Sequence, residues 1–374
     1  MTARPGAYVH VPYCAHRCAY CSFVAVTGRE GEGAYFEAVA VEVVARAGEV
    51  AGPFDTVYFG GGTPSYAEPA SLARVHAALG GTFGLASGVE VTAEANPDDL
   101  DEGRLAGLVA LGVNRLSVGV QSLRDEELRP LERRHDAATA LSALGRARSL
   151  GVRLSADLMI GVPGQSRASL EESLRGILDT GVGHVSAYLL ETEKAPRLVA
   201  LRRERPSLFP SDDELAEWWE EVDETCRSAG LPRYETSNWA RPGEESRHNL
   251  KYWRREPVLG FGVAASSFDG AVRRTNSGSI PAWERAVRET GRAFASEERL
   301  GDEEALREGV LLRLRTAEGV EDADFRRACE TLGSEDRTRL GDAFAAGLLS
   351  RDAGRVRLTR RGGLLSNEVF SLFL

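Results

Sequence analysis

Between residues 7 and 190 the chain alternates short, apolar, β-prone runs with longer amphipathic stretches, and it does so six times. The runs are AYVHVP (7–12), FDTVYF (54–59), GVEVTAEA (88–95), VNRLSVGV (113–120), VRLSADLMI (152–160) and HVSAYLL (184–190). Stretches such as AYFEAVAVEVVARAG and DAATALSALGRARSLG separate them, the second closing on a Gly that suits a helix C-terminus. Six β/α units in succession demand a parallel sheet, either open and doubly wound or curled into a full or partial barrel. The ends of the runs favour the barrel. Nearly every one leads into a polar or Gly-rich cluster: Cys14–Cys21, GGGTP, EANPDD, GVQS and GVPGQ. A doubly wound sheet concentrates its ligand groups at one switch point, whereas a barrel spreads them over the C-terminal ends of several strands. The expected fold is therefore α/β, a partial β/α barrel.

The pattern loosens after residue 190. A Pro- and Arg-rich connection leads to a helical stretch with acidic residues in its first turn, DDELAEWWEEVDETCRSAG (212–230), then to a short strand candidate, RYETS, and a loop-rich segment. Three helical patterns precede GLLSRDAGRVRLTRRGGLLSNEVF, which has the form of a winged-helix hairpin and final helix. Expected domains are a barrel core over 1–230, an extension over 231–298 and a winged-helix-like module over 299–374. The chain of 374 residues has no run of about 18 apolar residues and no apolar segment ahead of a cleavage site near its start, so a cytoplasmic protein with reduced thiols is expected, peripheral membrane contact at most. A net charge of −10 argues against a general nucleic-acid binder, although Arg351, Arg355, Arg357, Arg360 and Arg361 form a local basic patch.

Cys14, Cys18 and Cys21 are spaced C-x3-C-x2-C, and the remaining Cys226 and Cys329 lie far along the chain. An odd group of three is poor material for disulfides. Structural zinc, with His10 or His16 as fourth ligand, is one reading, but such sites usually arrive as two knuckles. Inert thiols are another. A [4Fe–4S] cluster held by three thiolates leaves one iron open for a small molecule.

At this spacing, with Tyr20 between the last two cysteines and the whole at the end of a first strand, the segment resembles the radical SAM signature. That resemblance implies a [4Fe–4S] cluster on Cys14, Cys18 and Cys21, its open iron chelated by S-adenosylmethionine (SAM), which one-electron reduction cleaves to a 5′-deoxyadenosyl radical. Gly60, Gly61, Gly62, Thr63 and Pro64 match the superfamily's GGGTP, whose backbone contacts the methionine amino group. Glycines there let a backbone approach a ligand closely, though by themselves they mark only a turn.

Glu94, Gln121 and Asp157 fall at or near the ends of β runs, where a parallel strand is ordinarily apolar on both faces, and polar groups in such places need partners. Their segments EANP, GVQS and DLMIGVPGQ, with ERRHDA around Arg133, resemble those of the oxygen-independent coproporphyrinogen oxidase family. The resemblance implies that Glu94, Gln121, Arg133 and Asp157 line the SAM pocket and that Tyr8 lies near the SAM carboxylate.

Two departures sort the chain within that family. Phe23 stands where the oxidase branch has a further Cys, and only thirteen residues precede Cys14, where that branch has a longer segment. Both point to the HemW-type haem-chaperone branch. SRHNLKYWR (246–254) matches that branch's H-N-x-x-Y at His248, Asn249 and Tyr252, which implies haem as cargo with His248 as a candidate iron ligand. Ser266 occupies the position of a His common in that branch, so the ligand set is expected to differ here. The reading is a haem carrier that passes haem to acceptor haemoproteins and takes electrons from a flavodoxin- or ferredoxin-like donor. The alternatives are a coproporphyrinogen III oxidase and a winged-helix regulator sensing oxygen or iron through the cluster, the acidic net charge counting against the last.

Overall fold

The structure, a computed structural model, describes residues 3–193 and 195–374. Six parallel strands follow the six sequence runs: β1 (Gly6–Val11), β2 (Phe54–Gly61), β3 (Leu85–Ala95), β4 (Arg115–Gln121), β5 (Arg153–Ile160) and β6 (His184–Leu189). The extension adds strands to both edges. β7 (Arg233–Glu235) and β8 (Asn238–Ala240) join β6 antiparallel, and β9 (Val258–Phe261) joins β1 parallel, followed by the antiparallel β10 (Ser266–Phe268), β11 (Val272–Asn276) and β12 (Phe294–Arg299). The sheet of twelve strands runs β12-β11-β10-β9-β1-β2-β3-β4-β5-β6-β8-β7 and does not close. It is a partial barrel, as expected.

Helices cover the outer face because one set of alternating side chains is apolar. Val57 and Phe59, Val91 and Ala93, Leu116 and Val118, and Leu154, Ala156 and Leu158 share a core with Tyr35, Phe36 and Val39 of α1 (Glu32–Ala45) and Leu72, Val75 and Leu79 of α2 (Pro69–Phe83). The local stop and start signals are chemical. Asp136 accepts from the Thr139 amide at the start of α3 (Ala137–Ser149), and Ser211 and Glu214 form a capping box on α4 (Asp212–Ser228), whose first turn carries Asp212 and Asp213.

The inner face differs from the doubly apolar strand that a parallel sheet leads one to expect. Thr56 and Tyr58, Thr92 and Glu94, Arg115 and Ser117, Ser155 and Asp157, and His184 and Ser186 alternate with the core residues, because the concave side faces a cavity rather than a second layer of helices. A short helix, α5 (Arg247–Trp253), lies at the lower end of this cavity. Glu90, buried on β3, accepts from the Arg247 and His248 amides at its start.

A second core, from Val310 to Phe373, belongs to the C-terminal module. There α6 (Asp302–Leu314), α7 (Asp322–Glu330) and α8 (Ser334–Ala345) pack on a three-stranded sheet of Val320–Glu321, Arg355–Leu358 and Leu349–Asp352. Its basic patch is largely neutralised: Arg351 pairs with Asp322 at 2.8 Å, Arg355 with Glu318 at 3.3 Å, and Arg360 with Glu220 at 3.8 Å. Among the described residues no helix is long and apolar enough to cross a membrane.

Candidate active site

The cysteine loop leaves the end of β1 and folds back on itself. Tyr13–Cys14 pairs with Val26–Thr27, and the Gly28 amide donates to the Cys14 carbonyl at 2.9 Å. The Ala19 amide donates to Leu131 O at 3.2 Å, which ties the loop to the segment bearing Arg133. All three thiols are free and line one cavity of about 490 Å³ with the strand ends, a size suited to a small molecule.

GGGTP supports this loop from below. The Gly62 and Thr63 amides donate to Val11 O and Tyr13 O at 2.7 and 2.9 Å, and the Gly61 amide donates to Glu94 Oε2 at 3.0 Å. Gly61 has φ +110°, and a Cβ there would lie 2.5 Å from the His10 ring; one on Gly62 would lie 2.7 Å from Val11 O and 3.0 Å from Cys14 Sγ. Only glycine fits at either position. With these amides consumed, an amine bound here would be met by carbonyl oxygens.

Two sulfurs are joined through a chain of side chains. Thr63 Oγ1 donates to Cys14 Sγ at 3.3 Å and accepts from Asn96 Nδ2 at 3.2 Å; Arg133 donates to Asn96 Oδ1 at 2.7 Å and to Cys18 Sγ at 3.3 Å. Burial pushes the Cys14 thiol up to about 11, against the Thr63 hydrogen bond and with help from the neighbouring thiols, and it pushes Cys21 up as well. Thiolates in this place need positive charge between them, which iron supplies. Among the described residues no three His, Cys, Asp or Glu side chains converge on a point as a single ion requires. His10 is engaged with Val24 O (2.8 Å) and the Tyr8 hydroxyl (3.1 Å), and His16 lies 3.4 Å from Glu132. Neither histidine completes a zinc site. The donor set fits a multi-iron cluster.

Lower in the cavity stand two half-buried carboxyls. Burial raises Glu94 to about 7 although it accepts from the Tyr58 hydroxyl (2.8 Å) and the Gly61 amide. It raises Asp157 to about 6 although Ser117 donates to it at 3.0 Å. Gln121 ends β4 at φ +65°, beside a break in register with β5, and this kink turns its side chain into the cavity.

The structure thus brings together Cys14, Cys18, Cys21, Gly61, Gly62, Thr63, Glu94, Gln121, Arg133 and Asp157. Two sequence candidates stand outside the cavity lining. Tyr8 stacks on Tyr58 with ring centroids 6.1 Å apart and bonds His10. His248 is 1% exposed, with Nδ1 2.8 Å from Thr56 Oγ1 and Nε2 3.0 Å from the Tyr252 hydroxyl. Ser266 lies exposed at the start of β10, bonded to Thr275 Oγ1 of β11 at 3.1 Å. Sequence reading missed Tyr58, Asn96, Arg115, Ser117 and Ser186, all cavity-lining; except for Asn96, which follows its strand, their signal was a polar residue at every second position inside otherwise apolar runs.

A barrel whose strand ends carry three thiols, a glycine platform and half-buried carboxyls defines a radical SAM protein, and residues 8–177 match the Radical SAM superfamily model while residues 300–365 match the HemN C-terminal domain. The chain is 33% identical over 373 residues to the haem chaperone HemW of Bacillus subtilis, covering 98% of each, and 35% identical to HemW of Mycobacterium tuberculosis, covering 99% of this chain and 94% of that one. It belongs to the HemW family. The solved coproporphyrinogen III oxidase HemN from Escherichia coli, described as a radical SAM enzyme, superposes with a TM-score of 0.85 at 25% identity over 99% of this chain and 90% of that one.

Proposed function

We propose that the protein carries haem and delivers it to acceptor haemoproteins, with a [4Fe–4S] cluster on Cys14, Cys18 and Cys21 and SAM held over the strand ends. The observation that carries this reading is the near full-length likeness to haem chaperones, combined with Phe23, 61% exposed at the cavity mouth where the oxidase branch has a cysteine. Bound cluster and SAM supply one-electron chemistry when a flavodoxin- or ferredoxin-like donor reduces them. The chain's own residues would hold them: carbonyls of the glycine platform would accept from the methionine amino group and Glu94 and Asp157 from hydroxyls, while Arg133 and Thr63 donate to the sulfurs of Cys18 and Cys14.

His248 serves this reading as an iron ligand only by exchanging partners. Burial, with the nearby Lys251 charge, holds its imidazole neutral down to about pH 3, which suits ligation, but Nε2 is occupied by the Tyr252 hydroxyl. Tyr252 is 43% exposed, so its ring has a path outward.

Anaerobically reconstituted protein, given SAM, reductant and coproporphyrinogen III, is expected to form no protoporphyrinogen, yet to bind haem with a Soret shift and lose it to an apo-haemoprotein. Decarboxylation at enzymatic turnover would replace the carrier with the oxidase. No haem bound at any reasonable concentration would remove the carrier reading and leave some other radical SAM role.

A further inference from the structure

The cavity does not end at the SAM residues. Arg115 begins β4 and Gln121 ends it, so at about 3.3 Å per residue the inner face descends roughly 20 Å from rim to floor. Thr92 and Arg115 are register partners one row below Glu94 and Ser117, which places them ~6–7 Å beneath that row.

The floor holds an excess of donors. Arg115 is 2% exposed, and its one hydrogen bond runs from Nη1 to the Glu244 carbonyl at 3.3 Å; among the described residues no carboxylate lies within ion-pair distance of it. A guanidinium buried to this extent ordinarily has an anionic partner. The nearby carboxylates are engaged. Glu90 pairs with Arg153 at 3.2 Å and accepts from two α5 amides, and Asp157 is held by serine hydroxyls one level up. Beside Arg115, the Thr92 hydroxyl is fully buried without a partner, and the half-buried Asn249 side chain, which bonds no other side chain or backbone group among the described residues, lines the same cavity. His184 offers nothing further, its nitrogens being bound to Ser155 (2.7 Å) and Tyr234 (2.8 Å).

We propose that Arg115, Thr92 and Asn249 form a subsite for the carboxylate of a small second ligand, bound beneath SAM. This rests on the reading of the upper cavity as the SAM site. One planar guanidinium with a hydroxyl and an amide matches a singly charged, planar carboxylate, which takes paired N–H donors. A phosphate dianion would set two charges beneath Glu94 and Asp157, both already raised by burial.

Ligand-observed NMR on the cluster-reconstituted full chain, with propionate as probe and SAM binding measured in parallel, tests the subsite. Saturable propionate binding should appear with SAM present, propionamide should not bind, and Arg115→Gln should weaken propionate at least tenfold while SAM affinity holds. Asn249→Ala should weaken it several-fold. Because Arg115→Gln could fail to fold, the propionate–propionamide comparison on the unaltered protein stands alone. Equal binding of the two probes, no saturable binding at tens of millimolar, displacement of propionate by SAM, or undiminished affinity in Arg115→Gln would each overturn the subsite. Loss of SAM binding in Asp157→Ala reports on the upper site independently.

Discussion

The rim of the barrel and the H-N-x-x-Y helix beneath it both carry sequence motifs of chemistry-bearing residues, yet the fold treats them in opposite ways. At the rim, three thiols stay free around a cavity and the carboxyls beside them are held at raised proton affinity by burial. On α5, His248 has both nitrogens bonded and its ring stacked on Tyr58 at 5.0 Å. The rim keeps its groups available for a ligand, while the helix spends His248 on holding the barrel floor. Of the matched motif residues, Asn249 alone lines the cavity.

The largest effect that separates the two regions is loss of the cluster. Cys14→Ala, Cys18→Ala or Cys21→Ala should each abolish the roughly four irons per chain expected of a Cys-ligated [4Fe–4S] centre. Cys226→Ala and Cys329→Ala should retain it, Cys226 being a core residue of α4 and Cys329 packing against the C-terminal core. Iron retained in any of the first three variants would break the assignment of the rim.

His248→Ala should cost stability instead, about 2–4 kcal/mol for two buried hydrogen bonds and a stacked ring. The pH dependence sharpens this point. His248 is held far below its ordinary value, so the unfolded chain takes up its proton first and this contribution to stability is lost as pH falls from about 6.5 toward 3. Unfolding curves of the variant and parent that coincide at neutral pH would show that the helix is as free as the rim.

Glu94 should behave in the reverse sense. Its folded-state value is raised to about 7, so the folded protein holds the proton more tightly and stability declines as pH rises from the ordinary glutamate range through 7. Glu94→Gln should remove that decline, a gain on the order of 3 kcal/mol at pH 8 and none near pH 4, read from thermal unfolding in the absence of SAM. The smallest effect is on affinity: Asp157→Ala should leave the cluster spectrum intact and weaken SAM by about 1.5–3 kcal/mol, as loss of a charge-assisted hydrogen bond does. Unchanged SAM affinity by equilibrium dialysis would remove Asp157 from the site.

Much of this protein was written in its sequence because the information is local. The period of apolar runs marks six parallel strands, the spacing of Cys14, Cys18 and Cys21 specifies a shared ligand, and Ser211 with Glu214 announces a helix start; each depends on residues a few positions apart. What only the tertiary structure decided is which polar groups remain without partners. Residues 192 positions apart meet when Thr56 takes up His248 Nδ1, and 37 positions separate Asn96 from the Arg133 that links it to Cys18. The curl of the sheet turns polar residues at every second strand position into one cavity, leaving Arg115 without an ion-pair partner among the described residues and His248 fully bonded. Satisfaction of a buried polar group is a property of everything packed around it, and no spacing along the chain encodes that.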